Sequence, residues 1–201
     1  MGKNASVWGN GDPATLELLH QENISGNWLN LAAGDGRYNL ILISKAKSVV
    51  ASDSSQKALD TLLLNTSKKF KKKLTLSRFD LTQKFPFDDG VFDGVFCTGT
   101  LHLFAVKDLK LIFSEITRIL KPNGKLIFDF ATNVKRVLFN GKLFLYPKEP
   151  QYTFRQAKQL LQKLLPHFNL AISPSTVPPE TLPELGYIFS CKFLLVVGVK
   201  K

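Results

Sequence analysis

The sequence predicts an α/β fold in which helices cover both faces of a doubly wound, seven-stranded sheet. Three observations support this prediction. Strand-like and helix-like segments alternate four times over residues 28–131, which is typical of parallel strands joined by right-handed crossovers. Turn and stop signals separate the segments. The last two strand-like segments have no helix between them, so we expect a mostly parallel sheet whose last strand is antiparallel.

Composition restricts the class of protein. The chain has 201 residues, of which 44% are hydrophobic, and this length is consistent with one domain. No apolar run is long enough to cross a bilayer and the segment up to Asp12 is polar, so we predict neither a membrane span nor a signal peptide. Cys97 and Cys191 lie far apart, without metal-ligand spacing. We therefore predict a cytoplasmic protein with free thiols and no metal site.

The first half of the predicted sheet has three strands, each preceded by a helical segment. A helix over residues 13–22 is expected to begin after Asp12 as its N-cap. The strands are predicted at residues 28–33, 48–53 and 74–80. Residues 37–45 are apolar nearly all round, as expected of a buried helix. The next helix carries a stripe of apolar residues at helical spacing, namely Ala58, Leu59, Leu62 and Leu63.

The second half contains the clearest amphipathic helix of the chain. Its apolar residues recur every three or four positions and are Leu109, Ile112, Phe113, Ile116, Ile119 and Leu120. The run Lys121-Pro122-Asn123-Gly124 is a strong stop signal, so the helix is expected to end there. Strands are predicted on either side of this helix, at residues 93–98 and 125–131.

Residues 133–152 interrupt the alternation. Asn140-Gly141 is a dipeptide typical of two-residue hairpin turns, so we predict a β-hairpin over residues 136–146 within an insertion at about 133–152. A further helix follows. Residues 168–172 and 188–199 are predicted as the last two strands, joined by a proline-rich loop.

Four strand ends carry groups that suit an adenosine-containing ligand, and ligands of open α/β sheets bind beyond the carboxyl ends of the strands. Gly34 and Gly36 allow a sharp turn and a close approach of the backbone after the first strand. Asp53 ends the second strand, where it can accept two ribose hydroxyls, and Asp80 ends the third, where it can accept an adenine amino group. The fourth strand opens into the small-residue run 97–102.

The order of these features along nearly the whole chain resembles that of the class I S-adenosylmethionine-dependent methyltransferases. The resemblance is to the small single-domain group of this family. The resemblance is carried by Asn30-Leu31-Ala32-Ala33-Gly34-Asp35-Gly36, Asp53-Ser54, Asp80-Leu81 and the stretch 85–125. It implies a Rossmann-like fold and S-adenosylmethionine as cofactor. The cofactor-binding residues that it implies are Asn30, Ala32, Ala33, Gly34, Gly36, Asp53, Ser54, Asp80, Leu81, Cys97 and Thr98.

The chain departs from the family pattern at two positions of this first motif. Asn30 stands where the family has an acidic residue that orients the amino-acid end of the cofactor, and Ala32 stands where it has its first glycine. An amide still forms hydrogen bonds but supplies no charge, and loss of a charge-assisted hydrogen bond costs about 1–3 kcal/mol. A catalytically weak or inactive methyltransferase-like partner subunit is therefore an alternative hypothesis.

The resemblance implies direct transfer of a methyl group from a sulfonium to a nucleophile, in which the protein mainly orients the reactants and excludes water. A general base is needed only if the nucleophile starts protonated. His102 is the candidate base by position, just beyond the fourth strand, and packing within the loop is its alternative role. Asp129 and Tyr146 are secondary candidates.

The methyl acceptor is not identified by the sequence. A small molecule is one prediction, and an RNA or a protein bound with the help of a partner is another. The formal net charge of +11 is compatible with an anionic acceptor, RNA included. The basic residues that the insertion would present to it are Lys135, Arg136, Lys142 and Lys148. The run Lys68–Lys73 precedes the third strand and is poorly placed to serve the site.

Two other enzyme classes share part of the pattern. NAD-dependent oxidoreductases also use a glycine turn and an acidic end of the second strand, but their third glycine would fall at Asn39. Aminopropyltransferases have a similar turn, but their acidic residue would fall near Thr98-Gly99, where the sequence has no carboxylate. Both classes fit the chain less well than the methyltransferases.

Overall fold

Helices and strands alternate along the part of the chain that the computed structural model describes, which is residues 6, 9, 11–147 and 149–201. The helices of this part are α1 (Pro13–Gln21), α2 (Asn39–Lys45), α3 (Gln56–Asn65), α4 (Val106–Ile119) and α5 (Phe154–Leu164). The strands are β1 (Asn27–Leu31), β2 (Ser48–Asp53), β3 (Leu74–Arg78), β4 (Phe92–Cys97), β5 (Leu120–Leu138), β6 (Phe168–Leu182) and β7 (Tyr187–Lys200). Short 3-10 helices lie at Lys68–Lys73, Leu101–Leu103 and Pro183–Leu185.

The strands form one seven-stranded sheet in the order β3-β2-β1-β4-β5-β7-β6. Neighbours from β3 to β5 are parallel, whereas β7 is antiparallel to both β5 and β6. The order reverses between β1 and β4. This confirms the predicted doubly wound, Rossmann-like sheet and its antiparallel last strand.

The core lies on both faces of the sheet. On one face, side chains of α4 and α5 such as Phe113 and Leu161 pack against the strands. On the other face, residues of α1 and α2 such as Leu19 and Leu42 pack around Trp28. The Trp28 ring lies so close to Gly94 of the neighbouring strand that a Cβ there would approach it to 2.4 Å. Burial of these apolar faces holds the strand ends in fixed relative positions.

Most predicted boundaries differ from the observed ones by one or two residues. β1 ends at Leu31 rather than at residue 33, because Ala32 adopts φ 52° and leaves the extended conformation. α4 ends at Ile119, so Leu120 belongs to β5. The predicted stop signal 121–124 forms an irregularity within β5, because Phe92 pairs with Leu120 while Gly94 pairs with Lys125.

The largest differences concern β5 and β6, which are much longer than predicted. β5 continues to Leu138 and β6 to Leu182, because both remain paired with β7 along its whole length. The predicted proline-rich loop is therefore mostly strand. Its prolines are tolerated because β6 is the edge strand, where an absent N–H removes no ladder bond on the open side. The irregularity between Val177 and Glu180 spans the Pro178-Pro179 pair.

The predicted hairpin turn is confirmed, but the prediction of a second strand after this turn is wrong. Leu138 N donates to Lys142 O at 2.8 Å, and Gly141 has φ 82°. Among the described residues, the returning segment pairs with β5 through the isolated bridge between Val137 and Leu143 and forms no continuous strand. Lys148 and the N-terminal residues 1–5, 7, 8 and 10 lie outside the described residues. Within the described ranges, no helix has the length and apolar character that crossing a membrane requires.

Candidate active site

A cavity of about 1060 Å³ lies at the carboxyl ends of β1, β2, β4 and β5. This is the point where the strand order reverses, the usual ligand site of open α/β sheets. Typical small-molecule pockets measure about 300–1,000 Å³, so this cavity has room for two ligands. We name its two ends by their walls. The cofactor chamber is lined by Asn30, Ala32, Ala33, Gly34, Asp53 and Thr98, and the acceptor chamber by Ala131, Arg136, Tyr146, Tyr187, Phe189 and Phe193.

The turn after β1 is tied to the end of β2. Ala33 N donates to Ser52 O at 2.7 Å, and Gly34 N donates to Asp53 Oδ2 at 2.9 Å. Gly34 has φ 55°, and a Cβ on it would meet nothing within 4 Å. The turn therefore presents bare backbone to open space, which is what close approach of a ligand requires.

Gly36 serves the packing of the turn rather than the cavity wall. Its φ is 93°, and a Cβ there would lie 2.8 Å from Leu62 Cγ of α3. It does not line the cavity. The second glycine of the motif thus allows the turn to sit against α3.

The two departures from the family pattern have distinct structural consequences. Ala32 adopts φ 52°, a left-handed conformation that costs an L-residue about 1–2 kcal/mol relative to a right-handed one. Asn30 is buried, and its Nδ2 donates to Asn39 Oδ1 at 3.2 Å. The Nδ2 of Asn39 is buried without a hydrogen-bond partner. An uncharged amide pair therefore occupies the position of the family's acidic residue.

Asp53 is held firmly in the wall of the cofactor chamber. Its Oδ2 accepts from Gly34 N, and its Oδ1 accepts from Ser55 N, each at 2.9 Å. Each carboxylate oxygen can accept more than one hydrogen bond, so both retain capacity for a ligand hydroxyl. The arrangement is compatible with ribose binding by Asp53, which remains a prediction.

The structure does not bring every predicted cofactor residue to the cavity. Asp80 is exposed, and its Oδ1 accepts from Thr82 N and Oγ1 at 2.8 and 2.9 Å. Leu81 and Cys97 lie in the hydrophobic core, and burial raises the pKa of the Cys97 thiol well above its usual value. Ser54 is exposed beside Asp53. The cofactor-binding roles of these four residues remain predictions.

His102 lies in the cavity wall, but its surroundings make it a poor base. Burial lowers the pKa of its imidazole to about 4. Its Nδ1 is buried without a hydrogen-bond partner, and the ring lies edge-on to Phe130, with 6.4 Å between ring centroids. The imidazole is therefore neutral near pH 7 and binds a proton weakly. Its catalytic role remains a prediction.

Asp129 of β5 lies beside Thr98-Gly99, a segment that has no carboxylate of its own. Its Oδ1 accepts from Gly99 N at 2.7 Å, and the residue lines the cavity. Burial raises the pKa of its carboxyl group to about 6, although the bond from Gly99 and the charge of Arg37 oppose the increase. A carboxylate thus does lie beside Thr98-Gly99, supplied by the neighbouring strand rather than by the loop itself.

The wall of the acceptor chamber combines aromatic rings with one buried ion pair. Arg136 is 4% exposed, and its guanidinium donates to the two carboxylate oxygens of Glu149 at 2.7 and 3.0 Å. The same guanidinium stacks over Tyr146, 4.7 Å from the ring centroid. Sequence reasoning missed the β7 part of this wall, which is formed by every second residue, Tyr187, Phe189, Cys191 and Phe193. That alternation was the available signal, because alternate residues of a strand share one face.

Carboxylates outnumber cations along the cavity wall. The acidic residues are Asp12, Asp35, Asp53, Asp129 and Glu180, and the basic ones are Arg37 and Arg136. Because Arg136 pairs with Glu149, the cavity is acidic in a protein whose formal charge is +11. Such a wall favours a cationic ligand. Across residues 6, 9, 11–147 and 149–201, no three His, Cys, Asp or Glu side chains are grouped to hold a metal ion.

Known proteins match the chain in both sequence and fold. The family profile of a methyltransferase domain matches residues 29–128. The chain is 30% identical over 188 residues to glycine/sarcosine N-methyltransferase of Parasynechococcus marenigrum, covering 91% of this chain and 66% of that protein. It is 34% identical over 118 residues to an uncharacterized methyltransferase of Schizosaccharomyces pombe, covering 57% of this chain and 43% of that protein. The chain spans 42% to 66% of the lengths of these and one further curated relative.

Among solved structures, the DhpI–SAH complex superposes with a TM-score of 0.68 at 20% identity, covering 94% of this chain and 83% of that one. The matched residues 29–128 include the turn after β1, Asp53 and β4. The cavity itself fits a sulfonium cofactor, because its wall is acidic, Gly34 leaves open space and Asp53 offers acceptors for ribose. The chain therefore belongs to the class I S-adenosylmethionine-dependent methyltransferases, and S-adenosylmethionine is its cofactor.

Proposed function

We propose that the protein transfers a methyl group from S-adenosylmethionine to the nitrogen of a small amine. The observation that carries this proposal is the combination of carboxylates and aromatic rings along the cavity, where Asp129 and Glu180 lie with Tyr146 and Phe189. Carboxylates attract an ammonium group, and aromatic faces stabilise it through cation–π interactions. An acceptor with a net negative charge, such as a phosphate ester or RNA, would meet repulsion from the same wall.

The positions of the basic residues support a small acceptor over RNA. Lys68–Lys73 lies just before β3, which is the edge strand farthest from β7 and the acceptor chamber. Among the described basic residues of the insertion, Arg136 lines the cavity, and its charge is compensated by Glu149. The glycine/sarcosine N-methyltransferase relative, which aligns with 91% of this chain, is by its name an enzyme that methylates the nitrogen of two small amino acids.

The residues of the chain bind and orient the reactants. The cofactor, when bound, supplies a methyl group on an already activated sulfonium, so positioning accounts for much of the rate. Asp53 would hold the ribose hydroxyls, and the bare turn at Gly34 would lie against the cofactor. Arg136 and Tyr146 of the hairpin segment, held by the pair with Glu149, line the acceptor chamber, where they would limit the access of water.

Methyl transfer to defined acceptors tests this proposal. Purified protein would be incubated with S-adenosylmethionine labelled in its methyl group and with separate sets of small primary and secondary amines, phenols, carboxylic acids and RNA. We expect label on amines. Label confined to phenols, carboxylic acids or RNA would contradict an amine acceptor.

A non-catalytic partner subunit is the second candidate function. Two observations favour it: the strained Ala32 and the uncharged Asn30–Asn39 pair in the cofactor chamber. This candidate predicts binding of S-adenosylhomocysteine without methyl transfer to any acceptor set. Binding followed by transfer to an amine rejects it.

A further inference from the structure

We propose that Asp129 is the general base of the reaction and takes a proton from the acceptor's ammonium group before methyl transfer. This inference rests on the proposed function and assigns its proton-accepting group. It starts from the position of the carboxyl group. β4 and β5 pair so that Cys97 lies opposite Phe128, which places Asp129 beside the loop that follows β4.

The hydrogen bonding of Asp129 leaves one oxygen for a ligand. Oδ1 accepts from Gly99 N at 2.7 Å, and this bond to a backbone group fixes the plane of the carboxyl group. Oδ2 has no hydrogen-bond partner in the part of the chain that the structure describes. Because Asp129 lines the cavity, an acceptor nitrogen can reach this oxygen without displacing a protein group.

The ionisable groups around Asp129 come from four elements. They are Asp12 before α1, Arg37 and Tyr38 before α2, Cys97 of β4 and Cys191 of β7. Arg37 lowers the pKa of the Asp129 carboxyl group, while Asp12 raises it. Burial raises the pKa of Tyr38 and of both thiols, so these groups stay neutral near pH 7. With a pKa of about 6, Asp129 is ionised at pH 7 and still basic enough to accept a proton.

The other candidate groups of the wall are less suited to this role. Asp12 Oδ1 caps α1 by accepting from Thr15 N and Oγ1. Both oxygens of Asp53 accept backbone N–H groups at the opposite end of the cavity. Glu180 is exposed to solvent, and the imidazole of His102 has its pKa lowered to about 4. In contrast to these four groups, Asp129 combines a free oxygen, partial burial and a position beside the loop after β4.

The proposed step balances as follows. One N–H proton of the acceptor moves to Asp129 Oδ2, which frees the nitrogen lone pair. The lone pair forms the new bond to the methyl carbon while the carbon–sulfur bond breaks, and the electrons of that bond remain on sulfur. The methylated product leaves as an ammonium ion, and the proton on Asp129 then passes to solvent.

The pH dependence of an Asp129→Asn variant tests this assignment with an amine that the wild-type protein methylates. We expect the kcat of the wild-type protein to be independent of pH above about pH 7. The variant should lose at least about 100-fold in kcat at pH 7 and regain rate as the pH approaches the pKa of the amine itself, because free amine then forms without a base. Asp60→Asn is the matched control, since Asp60 lies on the exposed face of α3, where it accepts from Gln56, and does not line the cavity.

Two readouts that do not depend on turnover accompany the kinetics. Carbon NMR of protein labelled in its aspartate carboxyl groups should show one titration with a midpoint near 6 that the Asp129→Asn variant lacks. The affinity for S-adenosylhomocysteine should change less than tenfold in the variant, which separates proton transfer from cofactor binding.

The outcomes distinguish this inference from the proposed function. If wild-type protein methylates no amine, the proposed function fails, and the assignment of Asp129 fails with it. If amines are methylated but the variant keeps the wild-type pH profile, the proposed function stands and Asp129 is not the base. A titration midpoint at the ordinary value of about 3.9 would also overturn the assignment.

Discussion

Ala32 adopts φ 52° in the turn that the cofactor approaches, so at the scale of single residues this alanine bears backbone strain. We predict that Ala32→Gly raises the free energy of unfolding by about 1 kcal/mol, because glycine adopts this conformation without a Cβ penalty. Urea denaturation measures the change. Ala33→Gly is the control: Ala33 has no positive φ, so this substitution should destabilise. If both variants lost stability alike, the turn would not be strained at Ala32.

Asp129 should make stability depend on pH. Its folded-state pKa is about 6, above the unfolded value of about 3.9, so the folded state binds the proton more tightly. The wild type therefore loses stability relative to Asp129→Asn as the pH rises from 4 to 6, by up to about 3 kcal/mol. Below pH 4 the carboxyl group is protonated in both states and the difference should disappear. Melting temperatures of both proteins between pH 3.5 and 8 test this, and a difference independent of pH would contradict it.

At the scale of elements, the buried ion pair between Arg136 and Glu149 holds the hairpin segment against β5. Their side chains are only 4% and 2% exposed. We predict that Glu149→Gln destabilises the protein by about 3 kcal/mol, because it leaves a buried guanidinium without its counter-charge. The same substitution should hasten proteolysis of the turn that carries the exposed Phe139 and Leu143.

The matched control for this prediction is Asp89→Asn. Asp89 pairs with Arg118, but its side chain is 78% exposed, and exposed pairs contribute less than about 1 kcal/mol. Thermal unfolding of the two variants should therefore differ clearly. Equal, small losses in both would show that Glu149 does not anchor the hairpin.

The elements that could be predicted from the sequence are those whose signals are local. The apolar stripe of α4 and the turn at Asn140-Gly141 depend on neighbouring residues, and both were found where expected. The extents of β5 and β6 depend on pairing with β7, which lies far away in the chain. The local sequence pattern therefore predicted a proline-rich loop, whereas these residues form part of β6, an edge strand that tolerates prolines.

At the scale of the whole molecule, the doubly wound sheet with its antiparallel last strand was the most predictable property, and the acceptor chamber was the least. The cofactor chamber is built from consecutive strand ends, so Gly34 and Asp53 could be paired from chain order alone. The acceptor chamber joins β5 to alternate residues of β7, and no local signal states that these strands are neighbours. For the same reason, sequence position gave no indication that Asp129 of β5 lies beside the loop after β4.

The distribution of charge also belongs to this scale. A formal charge of +11 suggested an anionic acceptor, but net charge does not determine the lining of a particular cavity. The carboxylates of the cavity wall come from separate strands, such as Asp53 at the end of β2 and Asp129 within β5. The topology of the sheet gathers them in one place.

The binding of S-adenosylhomocysteine tests the central claim most directly. At 100 times its dissociation constant, a ligand adds about 2.7 kcal/mol to stability, which for a chain of this size raises Tm by about 5–10 °C. We predict such a rise for the wild type and for the surface control Asp60→Asn, and none for Asp53→Ala at the same ligand concentration. The absence of a rise in the wild type, or an equal rise in Asp53→Ala, would contradict a cofactor site at the turn joined to Asp53.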